Sequence, residues 1–208
     1  DHLREMHYKI YNNFDISIDG TTVSGCIFPY HDEQKECGNL QLRQEERILK
    51  QIKENDLVVI GNRYIKNGDF KNYKWFLDIN SIRKIESFAK KISRKKGKVI
   101  LITPTPEFEL NVRQCMSQWY RPINNDLCTL SEKGFRNDFS IFYKNLDKLS
   151  ENVILYDPLK SVCFNGECSM VDKYGKPIYR DIDHFTDYAS GEYIYKHFIR
   201  FLQKKELI

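Results

Sequence analysis

No apolar run in this 208-residue chain approaches the length of a membrane span, and none of its segments is built like a signal peptide. A segment that carries the chain across a membrane is therefore not expected within it. The six cysteines include no Cys-x-x-Cys pair, and no histidine stands beside them at ligand spacing, which argues against a zinc site. There is no nucleic-acid-binding motif, no metal or organic cofactor is implied, and the net charge of +4 is modest. Disorder is excluded by composition, because Tyr and Phe occur 13 times each and the apolar fraction is that of a globular protein. A chain of this length can bury one sizeable core, so residues 1–208 are expected to form a single domain.

What charge there is has one dense stretch, Arg83-Lys84 through Lys90-Lys91 to Lys98. Ile82, Ile85, Phe88, Ala89 and Ile92 recur inside it at helical spacing, so it reads as the solvated face of an amphipathic helix. The cysteines fall as three local pairs, Cys26 with Cys37, Cys115 with Cys128 and Cys163 with Cys168. Six cysteines can pair in many ways. Loop closure favours the nearest neighbours, as staples in an oxidising compartment, while reduced thiols in a cytosolic protein are the alternative.

Along the chain, residues 2–12 read as a helix and 14–23 as a strand, with Phe14, Ile16 and Ile18 on one side. Residues 42–55 form a second helix with Ile48, Leu49 and Ile52 inward. The run 56–60 is short and continuously apolar, as in a strand buried on both faces of a parallel sheet. The basic helix ends near Gly97, and 98–103 is a second such strand, stopped by Pro104 and Pro106. Residues 105–136 lack strong periodicity, and a loop of that length suits the wall of a site. A helix over 137–149, a strand at 153–157 and a stapled hairpin over 162–179 with turns at Asn165-Gly166 and Tyr174-Gly175 follow. The last helix spans 187–204, with Ile194, Phe198, Phe201 and Leu202 inward. Helices alternating with short apolar strands predict an α/β fold, a three-layer α/β/α sandwich with a mainly parallel central sheet. In such sheets the site lies beyond the carboxyl ends of the strands, where Gly25, Gly61-Asn62 and the loop after Asp157 fall.

The chemistry concentrates in Tyr179-Arg-Asp181-Ile-Asp183-His184-Phe-Thr186. A carboxylate three residues before a histidine can fix its tautomer and stabilise the imidazolium, leaving the second ring nitrogen to take a proton from a hydroxyl. Asp183 rivals Asp181 by adjacency, while the three-residue offset favours Asp181. Without its surroundings His184 would read as a helix-entry residue, Gly25 and Gly61 as turn glycines, and Asn62 as a strand-end cap. His2, His7, His31 and His197 carry no motif, although His2 would neighbour a nucleophile at the chain start.

An early Gly, an Asn after a central strand and Asp-x-x-His before the last helix resemble the SGNH hydrolases. More closely, the chain is similar to the SGNH domain fused behind bacterial membrane acyltransferases of family three, which O-acylate cell-surface glycans. The cysteine hairpin Cys163-Phe-Asn-Gly-Glu-Cys168 followed by Tyr179-Arg-Asp181-Ile-Asp-His184 carries that likeness, together with Ser24-Gly25-Cys26. The resemblance implies His184 as general base, Asp181 as its orienting partner, and the Gly25 backbone N–H and Asn62 side chain as oxyanion donors. Two departures stand out. The family's Gly-x-Asn-Asp block is here Gly61-Asn62-Arg63, and the opening strand with its Gly-Asp-Ser nucleophile has no counterpart in Asp1-His2-Leu3. Either a Ser is missing between Asp1 and His2, or Asp1 occupies its position, and the first strand and nucleophile segment are expected to be absent.

The resemblance further implies an extracytoplasmic, periplasmic domain, monomeric and tethered to a membrane domain that delivers the acyl donor, with a glycan as acceptor. Three functions fit: an O-acyltransferase of extracytoplasmic polysaccharide, a carbohydrate esterase, or an inactive glycan-binding domain with Tyr64, Trp75, Trp119 and Tyr120 as stacking platforms.

Overall fold

A computed structural model describes residues 4–14, 16–20, 26–29, 35–62, 64, 79–116 and 125–208. The chain divides into two compact units: residues 1–19, 105–138 and 157–208 in one, and 20–104 and 139–156 in the other.

The second unit holds a parallel sheet of three strands, β1 (Leu57–Ile60), β2 (Lys98–Ile102) and β4 (Val153–Tyr156), in the order β1-β2-β4. Val58 stands opposite Val99, and Ile100 opposite Ile154. The centre of β2 is fully buried at Val99, Ile100 and Leu101, as a continuous apolar run demands. Its flanking strands are less covered than the sequence reading expected. Val59 and Leu155 are 42% and 37% exposed, because each lies on a strand with a described neighbour on one side only.

The basic stretch is α3 (Ile79–Ser93), whose Ile82, Ile85, Phe88, Ala89 and Ile92 are all buried. It packs on β2, so its lysines face outward. α2 (Lys35–Gln51) and α6 (Ser140–Leu146) both contact α3. The buried positions of α2 are polar rather than the expected Ile48 and Leu49: Glu45 is paired with Lys91 at 2.6 Å, and Gln41 donates to the Ile27 carbonyl. A charge buried in this way persists because it is paired. The helix foreseen over 137–149 is two pieces, α5 (Glu132–Asp138), which belongs to the first unit, and α6 in the second, with buried Phe139 following α5 in the chain.

In the first unit α1 (Arg4–Phe14) buries Met6 and Ile10. The strand foreseen over 14–23 does not form where it is described. Phe14 closes α1, residues 16–20 have no regular structure, and Ile18 is exposed. The segment read as structureless contains a 3-10 turn (Val112–Gln114), a short helix α4 (Asn125–Cys128) and a strand β3 (Thr129–Ser131). β3 pairs antiparallel with β6 (Glu167–Ser169), which pairs in turn with β5 (Cys163–Phe164). The β5–β6 turn has Asn165 at φ 54° and Gly166 at φ 83°, the left-handed pair that a two-residue hairpin requires. Cys163 and Cys168 stand directly opposite in this ladder and are disulfide-bonded, as are Cys115–Cys128 and, in the second unit, Cys26–Cys37.

The C-terminal helix comprises α7 (Asp187–Ala189), a π-helical stretch (Ser190–Ile194) and α8 (Tyr195–Lys204). Ile194, Phe198 and Leu202 are buried as expected, whereas Phe201 is half-buried. α1 crosses the π-helical stretch, with the Met6 N–H donating to Ser190 Oγ at 3.1 Å and Lys9 to the Gly191 carbonyl at 3.2 Å.

Candidate functional site

The residues before the C-terminal helix form a loop closed at its neck. Tyr179 and Phe185 make an antiparallel bridge, the Arg180 N–H donates to the His184 carbonyl at 2.7 Å, and the Thr186 N–H donates to Ile178 O at 2.9 Å. Thr186 then caps the helix, its hydroxyl accepting from the Ala189 N–H and donating to Pro177 O. The neck is anchored in the core. Tyr179 is fully buried and packs against Phe108 and Phe185, with ring centroids 4.9 and 4.8 Å away. The Phe108 N–H reaches into the loop, donating to Ile182 O at 2.8 Å.

Within this loop Asp181 turns back on the chain that follows it. Its Oδ1 accepts the backbone N–H of Asp183 at 3.2 Å and of His184 at 2.8 Å, as short acidic side chains favour in turns. The same oxygen lies 2.8 Å from His184 Nδ1. Burial acts to raise the Asp181 pKa, but the hydrogen bonds from His184 and Asp183 and the nearby imidazole outweigh it. The carboxyl is held well below the usual range. An ionised carboxylate only accepts, so Nδ1 carries the hydrogen, and the lone pair of the neutral ring belongs to Nε2. A half-exposed imidazole with that tautomer can act as a base towards a hydroxyl.

Asp183 also reaches the ring, with Oδ1 2.8 Å from Nδ1, a contact that is an ion pair only when the imidazole is protonated; its side chain is 10% exposed against 32% for Asp181. The rivalry between the two acids therefore resolves into two contacts on one nitrogen. The donor atoms of Asp181, Asp183 and His184 lie within 4.8 Å of one another, a spacing that the carboxylate–imidazole pairing already accounts for.

Asn62 stands in the other unit, at the carboxyl end of β1. Its Nδ2 donates to Phe28 O at 2.9 Å and its Oδ1 accepts from the Phe28 N–H at 3.1 Å, a two-way clamp on one backbone residue. The Phe28 ring in turn packs edge-on against Phe88 at 5.1 Å. Neighbouring Gly61 has no left-handed φ, and an added Cβ would meet only Ile102 Cδ1 at 3.5 Å. Gly25, Ser24, Trp75, Trp119, Tyr120 and His2 lie outside the described residues. Tyr64, offered as a stacking platform, is buried, its ring against Phe142 at 4.9 Å and its hydroxyl donating to Ile102 O at 2.6 Å, which is a core role. Asp157, at the end of β4, pairs with Arg136 at 2.7 Å and accepts from the Leu159 N–H at 3.1 Å, a structural cap.

Beyond the hairpin the sequence reading missed an anchor. Buried Asp172 accepts the hydroxyls of Tyr188 (2.8 Å) and Tyr193 (3.0 Å) on Oδ2 and the N–H groups of Tyr174 and Lys176 (both 2.8 Å) on Oδ1. Burial raises its pKa, the four hydrogen bonds more than offset that, and the net direction is down. The Tyr193 hydroxyl is pushed up, by burial first and then by its neighbours Tyr188 and Asp172. An Asp two residues before the Tyr174-Gly175 turn was the available signal.

Residues 1–194 match the family model described as SGNH domain (fused to AT3 domains). No curated protein matches the sequence. Among solved structures, the chain is similar to the periplasmic domain of a lipopolysaccharide acetyltransferase of Salmonella ser. Paratyphi A, at 15% identity and a TM-score of 0.51. That match covers 85% of this chain and 66% of the other. A second likeness, to the YXIM protein of Bacillus subtilis, has 14% identity and a TM-score of 0.39 over 78% of this chain and 41% of that one. At such identities the first likeness speaks to the fold alone.

Proposed function

This chain belongs to the family of SGNH domains fused to AT3 domains, and on that premise we propose that it is an O-acyltransferase domain acting on an extracytoplasmic polysaccharide. The group transferred is acetyl or another short acyl chain. The observation that carries this reading is the Asp181–His184 pair: Nδ1 held at 2.8 Å by an ionised carboxylate, in a loop pinned to the core.

A serine hydroxyl, to which no residue of this chain is assigned, attacks the carbonyl carbon of the acyl donor. His184 Nε2 takes the hydroxyl proton as the new C–O bond forms. The carbonyl electrons move onto oxygen, and the family resemblance assigns the stabilisation of that charge to the Gly25 N–H and the Asn62 amide. The clamp on Phe28 uses one Nδ2 hydrogen of Asn62 and fixes the plane of the other. Collapse expels the donor's leaving group, which takes the proton from the imidazolium. A sugar hydroxyl then repeats the sequence on the acyl-serine, giving the acylated glycan and the free serine.

Three disulfides fit an oxidising, periplasmic setting, and among the described residues no helix is long and apolar enough to cross a membrane. We further propose, from the family, that the domain lies outside the cytoplasm as a monomeric unit tethered to a membrane acyltransferase domain that delivers the donor.

The test is acyl transfer by the full-length protein from an activated acyl ester to a polysaccharide acceptor. His184→Ala is expected to lower the rate about 10²–10⁴-fold. Transfer that survives this substitution sinks the proposal. Acyl release that is unchanged by added glycan makes the enzyme an esterase instead.

A further inference from the structure

We infer that Asp183 is a second positioning residue for His184, sharing Nδ1 with Asp181 and able to hold the Nδ1–H tautomer when Asp181 is replaced. The inference deepens the acyl-transfer reading and rests on it only for its catalytic consequence, since the tautomer is a property of the folded protein.

The geometry gives the two acids different tasks. Asp181 Oδ1 receives the Nδ1–H as a hydrogen bond and ties down the backbone N–H of His184 at 2.8 Å, so it sets the ring's orientation. Asp183 Oδ1 is equally close, 2.8 Å from the same nitrogen. Only 10% of the Asp183 side chain is exposed, against 32% for Asp181, so water screens its charge less. The backbone that carries it has little freedom. The Asp183 N–H is bound by Asp181, the preceding Ile182 carbonyl accepts from Phe108, and two residues on Phe185 bridges to Tyr179. Two carboxylate oxygens thus stand 2.8 Å from one nitrogen, and the second is at hand to receive the Nδ1–H when the first is replaced. By contrast, where a lone aspartate partners the histidine, replacing it with asparagine switches the tautomer and costs about 10⁴-fold in rate.

The experiment is two-bond ¹H–¹⁵N correlation NMR on the folded protein labelled in histidine, at a pH where the ring is neutral, to read which nitrogen of His184 carries the hydrogen. The Nδ1–H tautomer is expected in the wild type, in Asp181→Asn and in Asp183→Asn, with conversion to Nε2–H only in the double variant. If Asp181→Asn alone converts the ring as fully as the double variant does, Asp183 has no such role. If Asp183→Asn alone converts it, the assignment of tasks is overturned. Should the asparagine variants fail to fold, the serine series at the same two positions carries the same readout. In activity, Asp181→Asn is expected to lose about tenfold, and the double variant about 10⁴-fold. The expected tautomer pattern together with absent acyl transfer leaves Asp183 in its role and removes the proposed reaction instead.

Discussion

Replacing Asp172 by Asn tests whether a single buried carboxylate organises the segment that leads into the site. In the wild type its two oxygens accept four hydrogen bonds, two from phenols and two from backbone N–H groups. Asparagine keeps an oxygen for the backbone pair but, with that oxygen there, sets an NH₂ donor against Tyr188 and Tyr193. A hydrogen bond to a charged group contributes about 1.5–3 kcal/mol and a neutral one about 0.5–1.5 kcal/mol. The backbone pair thus weakens, the phenol pair is exchanged for neutral bonds in which the rotated hydroxyls accept from the NH₂, and because both tyrosines are only half-buried, water receives the freed hydroxyl hydrogens. The expected net cost is about 2–4 kcal/mol, or roughly 4–16 °C in Tm for a chain of this size. The pH dependence follows from the depressed carboxyl. Its contribution is complete above the ordinary aspartate value of about 3.9 and is lost as pH falls through the lower folded value. Urea denaturation followed by circular dichroism should therefore show a wide gap between wild type and Asp172→Asn at pH 7 that closes in acid. A gap under about 0.5 kcal/mol at pH 7, or one that persists undiminished at the lowest pH where both proteins fold, refutes the reasoning.

Gly97→Ala should cost about 1–3 kcal/mol in the same assay, since the new Cβ would lie 2.9 Å from Ile92 Cγ2, 3.1 Å from Ile52 Cγ1 and 3.3 Å from the Asp56 carbonyl. The first two atoms belong to stiff β-branched side chains and the third to backbone, so little can give way. Removing the Cys115–Cys128 bridge, which closes 13 residues, should cost about 3 kcal/mol, and removing Cys163–Cys168, which closes 5, about 2 kcal/mol. Paired serine variants melted under oxidising conditions read both, and equal or reversed losses contradict the loop-entropy argument.

Much of this molecule can be read locally. The periodicity of Ile82, Ile85, Phe88, Ala89 and Ile92 names both the helix and its buried face, and Asn165-Gly166 names a hairpin. The three cysteine pairs follow from loop length alone. Asp181 and His184 are legible because three residues on one tight loop span the distance that the hydrogen bond needs. The strand errors have one source. β3 is a strand only because β6 lies beside it, and residues 16–20, with a strand-like alternation, find no partner among the described strands. Alternation describes a surface that is able to pair, and pairing is decided elsewhere in the chain.

The amino-acid order by itself thus determined the N-terminal, basic and C-terminal helices, the buried strand at the centre of the parallel sheet, the disulfides and the acid–histidine pair. Each depends on neighbours within a few turns of chain, where spacing dictates contact. Tertiary structure alone decided that α2 buries Glu45 against Lys91, that Asn62 clamps Phe28, and that Asp172 gathers two tyrosines from the C-terminal helix. It also decided that Asp183 turns its carboxylate onto His184 rather than into solvent. In each case a polar side chain loses its water on folding, and only the packed arrangement shows which group replaces it.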